Sequence, residues 1–173
     1  MPIKLLIADD HFVVREGVKV MLQKTDIEVI GEASGGNECV RLVSKLKPDV
    51  VLLDVRMPDG DGLQALAQIK QQHPDLAVLM LSTYDNPTYI ARSVALGANG
   101  YLLKTISEDE LIDAIRTAAD HRDLWTRAEL RRVTGALAAP RLGHEVDVPL
   151  TRREVEVLAK MADGLTNKEI ARV

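Results

Sequence analysis

With one cysteine, Cys39, in 173 residues, the chain cannot form an internal disulfide. That usage fits a reducing compartment. Cys39 falls within a helical pattern and reads as a small packing residue. Long apolar runs are also missing. The longest, such as VVLL at 50–53, fall far short of the roughly 20 residues needed to span a bilayer. The N-terminus, MPIKLLIADD, lacks the apolar core and small-residue cleavage site of a secretion signal. A cytoplasmic protein with no membrane partner is therefore expected. There is no excess of basic charge: the formal net charge is −4, which argues against nucleic-acid binding by the surface as a whole. Residues 1–150 hold 17 basic and 22 acidic side chains, whereas residues 151–173 hold 5 and 4. On charge alone the tail would be a weak candidate for DNA. No internal repeat or low-complexity stretch is visible.

What is present is a regular alternation. Short apolar runs at IKLLIA (3–8), EVIGEA, PDVVLLD, AVLMLS and GYLLK are interleaved with helical patterns. Those patterns cover FVVREGVKVMLQK, NECVRLVSKL, LQALAQIKQQ, PTYIARSVALG and EDELIDAIRTAAD. Five strands alternating with five helices predict an α/β fold with a doubly wound, five-stranded parallel sheet. Strands such as VVLL and AVLML are apolar at every position, as burial between two helical layers requires. This domain is expected over residues 1–121. Residues 122–150 read as a linker with one amphipathic helix, 125–139, ahead of the proline-containing APRLGHEVDVP. At Thr151 the pattern T-R-R-E forms a capping box, Gly164 ends the helix behind it, and a second box begins at Thr166.

Open parallel sheets carry their sites at the carboxyl ends of the strands. Here the first strand ends at Asp9 and Asp10, the third at Asp54, the fourth at Ser82 and the fifth at Lys104. Any one of these alone is more often a turn or helix-cap residue. Their co-occurrence at four strand ends points to function. Three converging carboxylates repel one another unless a cation joins them, and oxygen-only ligation suits Mg²⁺ or Mn²⁺. A metal together with a lysine is complementary to a phosphoryl group. A carboxylate can itself accept that group, and Asp54, central among these strand ends, is the candidate. His11 follows the acidic pair and reads as a helix-start residue, not a ligand. Arg56 and Tyr84, two residues beyond Asp54 and Ser82, are placed at the fringe of the site, either acting on it or lying as plain rim residues.

The stretches IADDH (7–11), LLDVRMPDGDG (52–62), LSTYD (81–85) and GANGYLLKT (97–105) resemble the receiver domain of bacterial two-component response regulators of the NarL/FixJ, LuxR-type family. The resemblance implies that Asp54 is the phosphoacceptor, served by a sensor histidine kinase. It further implies that Asp9, Asp10, Asp54 and the backbone carbonyl of Arg56 bind the metal. Ser82 and Lys104 would contact the phosphoryl oxygens, and Tyr101 would be the aromatic switch residue that turns inward with Ser82. A homodimer on phosphorylation is part of the same expectation. One departure is Thr105, which stands where many receivers have proline.

The tail LTRREVEVLAKMADGLTNKEIARV resembles the opening of a LuxR-type helix-turn-helix. The family continues with a recognition helix, and that helix is what reads bases. Residues 151–173 are thus expected to be the N-terminal part of a DNA-binding domain, incomplete, with the recognition helix absent. DNA is then a partner of the full-length protein but not of this fragment. Two other readings compete. A phosphorylation-independent interaction module would make no use of the acidic site. An aspartate-nucleophile phosphatase would need a second carboxylate two residues after Asp54, where Arg56 stands.

Overall fold

The computed structural model describes residues 1–58, 60–128, 130–131, 156–158 and 160. The five predicted strands form in order: β1 (Ile3–Ala8), β2 (Ile27–Ala33), β3 (Val50–Asp54), β4 (Ala77–Ser82) and β5 (Gly100–Leu103). Between and after them run α1 (Phe12–Met21), α2 (Gly36–Leu46), α3 (Gly62–Gln72), α4 (Pro87–Ala95) and α5 (Glu108–Ala119). The sheet is parallel throughout, in the order β2-β1-β3-β4-β5. Chain direction across the sheet therefore reverses between β1 and β3, and a crevice opens at their carboxyl ends.

The unbroken apolar strands are accounted for by two cores, one on each face. Leu5, Ile7, Leu52, Leu79 and Leu81 point toward α1 and α5, where they meet Val18, Leu22, Leu111 and Ile115. Their neighbours Leu6, Leu53, Val78 and Met80 point the other way, onto Cys39 and Val43 of α2 and Leu66 and Ile69 of α3. Each buried side chain of this size contributes about 1.5–3 kcal/mol. Alternation thus fixes which strand-end residues reach the crevice. Cys39 is fully buried, and burial pushes its thiol up to about 12, in keeping with a packing role.

Local signals start the helices. Asp61 accepts from the Leu63 amide at the start of α3, and Asn86 accepts from the Thr88 amide ahead of Pro87 in α4. Ser107 and Glu110 close a reciprocal capping box on α5. Beyond α5 the chain returns along the sheet edge: the Leu124 amide donates to the Asn99 carbonyl, and the Trp125 indole donates to the Ala98 carbonyl. Residues 127–128 and 130–131 are helical, as are 156–158. The remainder of the expected linker helix, the proline-containing linker and both capping boxes after residue 150 lie outside the described residues. Leu158 is buried against Ile90, Ala91 and Val94 of α4, in a cluster shared with Tyr101 and Trp125. Among the described residues, no helix is long and apolar enough to cross a membrane.

Candidate functional site

Asp9 and Asp10 leave β1 directly, Asp54 ends β3, Ser82 ends β4 and Lys104 follows β5. The crevice brings the carboxylates and the lysine into one cluster. The Lys104 ammonium lies 2.7 Å from Asp9 Oδ2 and 3.0 Å from Asp54 Oδ2, bridging the two. Asp9 and Asp54 are buried, while Asp10 is partly open to solvent. Burial pushes the Asp54 carboxyl above the ordinary carboxylate range; the Lys104 hydrogen bond opposes this and the Asp9 charge adds to it. Burial would lower Lys104, but its hydrogen bonds to Asp9 and Asp54 outweigh that and hold its ammonium above the usual value.

One ammonium cannot neutralise three carboxylates. Donor atoms from Asp9, Asp10, His11 and Asp54 all lie within 4.8 Å of one another. Crowded oxygen donors with surplus negative charge fit a hard divalent cation. The donor set is therefore compatible with a divalent metal. Arg56 has an exposed side chain, and its amide donates to Asp54 Oδ1 at 3.4 Å.

The Ser82 hydroxyl is engaged away from the carboxylates. It donates to the Tyr84 carbonyl at 3.2 Å and accepts from the Tyr84 amide at 3.1 Å. The Tyr101 hydroxyl donates to the same carbonyl at 2.8 Å. Tyr101 is half-buried, and burial raises its phenol to about 12. The Tyr84 side chain is exposed, whereas Met57 is buried in the core under α2 and α3. Ser82 and Tyr101 are thus linked through one carbonyl on the β4–α4 loop.

Two site residues escaped sequence reasoning. Arg15 donates to the Asp9 carbonyl at 2.7 Å and to Glu32 Oε2 at 3.0 Å. Its guanidinium also lies 5.7 Å from the Phe12 ring centroid. Arg15 thereby clamps the backbone at the acidic pair from one helical turn away. The second is Glu32, which reaches it because the β1–β2 register shifts between Leu5 and Leu6, setting Ile7 opposite Glu32. A helical-turn offset from the acidic pair was the only trace of Arg15; the bulge left none. His11 caps α1 by its backbone position, as expected of a helix-start residue, yet its side chain makes no capping hydrogen bond.

The loop after Asp54 closes tightly. Gly60 takes φ +88°, which only glycine adopts readily. A Cβ on Gly62 would sit 1.9 Å from the Asp54 carbonyl oxygen and 3.0 Å from Val55 Cα, both backbone atoms that cannot rotate aside. Gly62→Ala is therefore expected to lower stability by about 1–3 kcal/mol, the range for overpacking. A urea unfolding midpoint equal to that of the unsubstituted protein would contradict the close approach.

A parallel β2-β1-β3-β4-β5 sheet with an acidic cluster and a lysine at its carboxyl edge defines a receiver domain. Residues 5–116 match the model of the response regulator receiver domain, and residues 148–173 match that of the bacterial regulatory proteins of the luxR family. The transcriptional regulatory protein YxjL of Bacillus subtilis is 39% identical over 173 residues, covering 98% of this chain and 79% of its own length. The response regulator VraR of Staphylococcus saprophyticus is 35% identical, covering 99% and 81%. Among solved structures, the signal receiver domain of the response regulator NarL from Mycobacterium tuberculosis superposes with a TM-score of 0.67 at 34% identity. It covers 70% of this chain and 98% of that one. The chain belongs to the response regulator family, with a receiver domain and a LuxR-type DNA-binding segment, and its function is two-component transcriptional regulation.

Proposed function

We propose that Asp54 accepts a phosphoryl group from a sensor histidine kinase and that the resulting charge switches the output of this chain. The observation that carries this reading is the Lys104 ammonium bridging Asp9 and Asp54 beside a cation-compatible acidic cluster. Asp9, Asp10, Asp54 and the Arg56 carbonyl would hold Mg²⁺ or Mn²⁺, which when bound neutralises phosphoryl oxygens. An Asp54 carboxylate oxygen attacks phosphorus as the phosphorus–nitrogen bond of phosphohistidine breaks. The bonding pair leaves with the imidazole. Lys104 then turns to a phosphoryl oxygen, and Ser82 redirects its hydroxyl from the Tyr84 carbonyl to another.

That carbonyl also holds the Tyr101 hydroxyl, and Tyr101 shares a cluster with Leu158 and Trp125. A path from the site to the C-terminal segment is therefore at hand. Moving a two-state switch from about 1% to 99% active takes roughly 5.5 kcal/mol of differential interaction. Charge-assisted hydrogen bonds of about 1.5–3 kcal/mol each can supply it. In this reading residues 1–121 are the receiver, 122–150 the linker and 151–173 part of the DNA-binding domain. The protein works in the cytoplasm and pairs with a second copy when phosphorylated. It is no turnover enzyme for a free substrate, although the same site speeds its own phosphorylation and dephosphorylation.

The test uses acetyl phosphate as donor with Mg²⁺ present. Intact mass is expected to show one phosphoryl group per chain, and none when EDTA removes the metal. A chain that never gains mass is a phosphorylation-independent module. Sustained turnover of small phosphate esters would instead make it a phosphatase. Metal alone should also stabilise the fold, by about 2.7 kcal/mol at a concentration one hundred times Kd. The melting temperature in Mg²⁺ is accordingly expected to exceed that in EDTA, with a smaller gap in Asp10→Asn.

A further inference from the structure

The turn between α4 and β5 ends on Asn99, half-buried at the opposite end of β5 from Lys104. Its backbone amide donates to the Val78 carbonyl at 2.8 Å, and its Oδ1 accepts from the Val78 amide at 3.0 Å. The same Oδ1 accepts from the Lys70 ammonium at 3.3 Å, while Nδ2 donates to Asp123 Oδ1 at 2.9 Å. Two donors on one side and a carboxylate on the other fix which way this amide points. The Asn99 carbonyl in turn accepts from the Leu124 amide at 2.7 Å. Its carbonyl and Nδ2 therefore both hold the segment that leaves α5. Lys70 is also held by the Leu76 carbonyl at 2.7 Å. Burial lowers its ammonium to about 8, and the Asp123 charge across Asn99 works against that.

Trp125 follows, and its indole donates to the Ala98 carbonyl at 2.9 Å. The ring packs with Tyr101 against Ile90, Ala91, Val94 and Leu158. Residues 122–126 belong to no helix or strand, so their hold on the receiver is through these contacts. We propose that Asn99 is the positioning residue that locks the start of the linker onto the amino end of β5. The lock keeps Trp125 in the cluster through which Tyr101 reaches the C-terminal segment. This rests on the reading that phosphorylation of Asp54 moves Tyr101. A side-chain amide suits the position because it accepts from two donors and donates to a carboxylate at once, which an aspartate cannot do.

Trp125 is the one tryptophan of the chain, so its indole N–H gives a single nuclear magnetic resonance signal. Hydrogen exchange at that group reports opening of the lock. Asn99→Asp keeps the acceptor for Val78 and Lys70 but turns a carboxylate oxygen toward Asp123. Indole exchange in the whole chain is expected to quicken about tenfold or more, the effect of losing a hydrogen bond to a charged group. Exchange at the Leu52 amide in β3 should not change. Asp123→Ala, at an exposed position, removes the acceptor without touching β4 and should quicken indole exchange in the same way. The double variant Asn99→Asp with Asp123→Asn again sets an amide against a carboxylate, and exchange should return to the original rate. Acetyl phosphate with Mg²⁺ should shift the indole signal of the original chain. In Asn99→Asp the phosphoryl group should be taken up equally, with the shift lost. Unchanged indole exchange in both single variants, or no recovery in the double variant, would overturn the lock. A phosphorylated original chain with an unmoved indole signal, or a shift retained in Asn99→Asp, would overturn its part in relaying the state of Asp54. Absence of phosphoryl uptake by the original chain would overturn the reading of Asp54 and the relay together, while the exchange rates still decide the lock.

Discussion

Asp54→Asn is expected to take up no phosphoryl group from acetyl phosphate and, without metal, to be more stable than the unsubstituted protein at pH 7. The loss follows from chemistry, since an amide cannot serve as the carboxylate nucleophile. The gain follows from linkage. Burial raises the Asp54 carboxyl above its ordinary value of 3.8. The folded state therefore binds this proton more tightly than the unfolded chain does. Its contribution to stability is fully present below that ordinary value and is lost as pH rises through the raised one. At pH 7 the ionised group weighs against folding, and asparagine removes the weight. Asp9 keeps Lys104 as its partner at 2.7 Å, so the substitution leaves no buried ammonium alone. Melting curves in EDTA should show the gain shrinking as pH falls toward 4. A variant less stable than the original across that range would mean that Lys104 outweighs burial at Asp54. Sites that trade stability for chemistry commonly behave in the expected way.

Lys104→Met should act in the opposite sense on stability and still cripple the chemistry. Asp9 is fully buried and Lys104 partly buried, with its ammonium on both carboxylates. Removing one partner of a buried pair costs about 3–5 kcal/mol, because the other charge is left uncompensated. A divalent cation can restore much of that charge balance, so the melting temperature should drop sharply in EDTA and recover in Mg²⁺. Rate should not recover with it. In the proposed mechanism Lys104 turns to a phosphoryl oxygen, a contact that a cation held by Asp9, Asp10 and Asp54 would not replace. Loss of one such fixed donor costs about 10²–10³ in rate. Phosphoryl uptake followed over time in saturating Mg²⁺ separates the two effects. Uptake at the original rate would assign Lys104 to structure alone.

The fold was readable because each strand announced itself twice, by an all-apolar run and by the helix behind it. Reading VVLL and AVLML as buried on both faces was correct, and Leu52 and Leu53 indeed face opposite cores. The same logic brought Asp9, Asp10, Asp54 and Lys104 together, because strand ends in a parallel sheet share an edge. Arg15, Glu32 and the His11 ring were invisible for a common reason. Their placement depends on helix rotation and on a one-residue register shift in β2, and neither leaves a pattern in the letters. His11 shows the difference well: its backbone role was legible, but the direction of its ring was not. Ser82 was placed correctly at the end of β4, but its present partner, the backbone of Tyr84, belongs to a loop conformation.

The most direct measurement locates the phosphoryl group itself. Protein treated with acetyl phosphate and Mg²⁺ is reduced with borohydride, which converts an aspartyl phosphate to homoserine, and is then digested and sequenced by mass spectrometry. Homoserine at position 54, and at no other aspartate, is the expected result. Its appearance at Asp9 or Asp10, or a phosphoryl group that resists borohydride, would contradict the assignment of Asp54 as the acceptor.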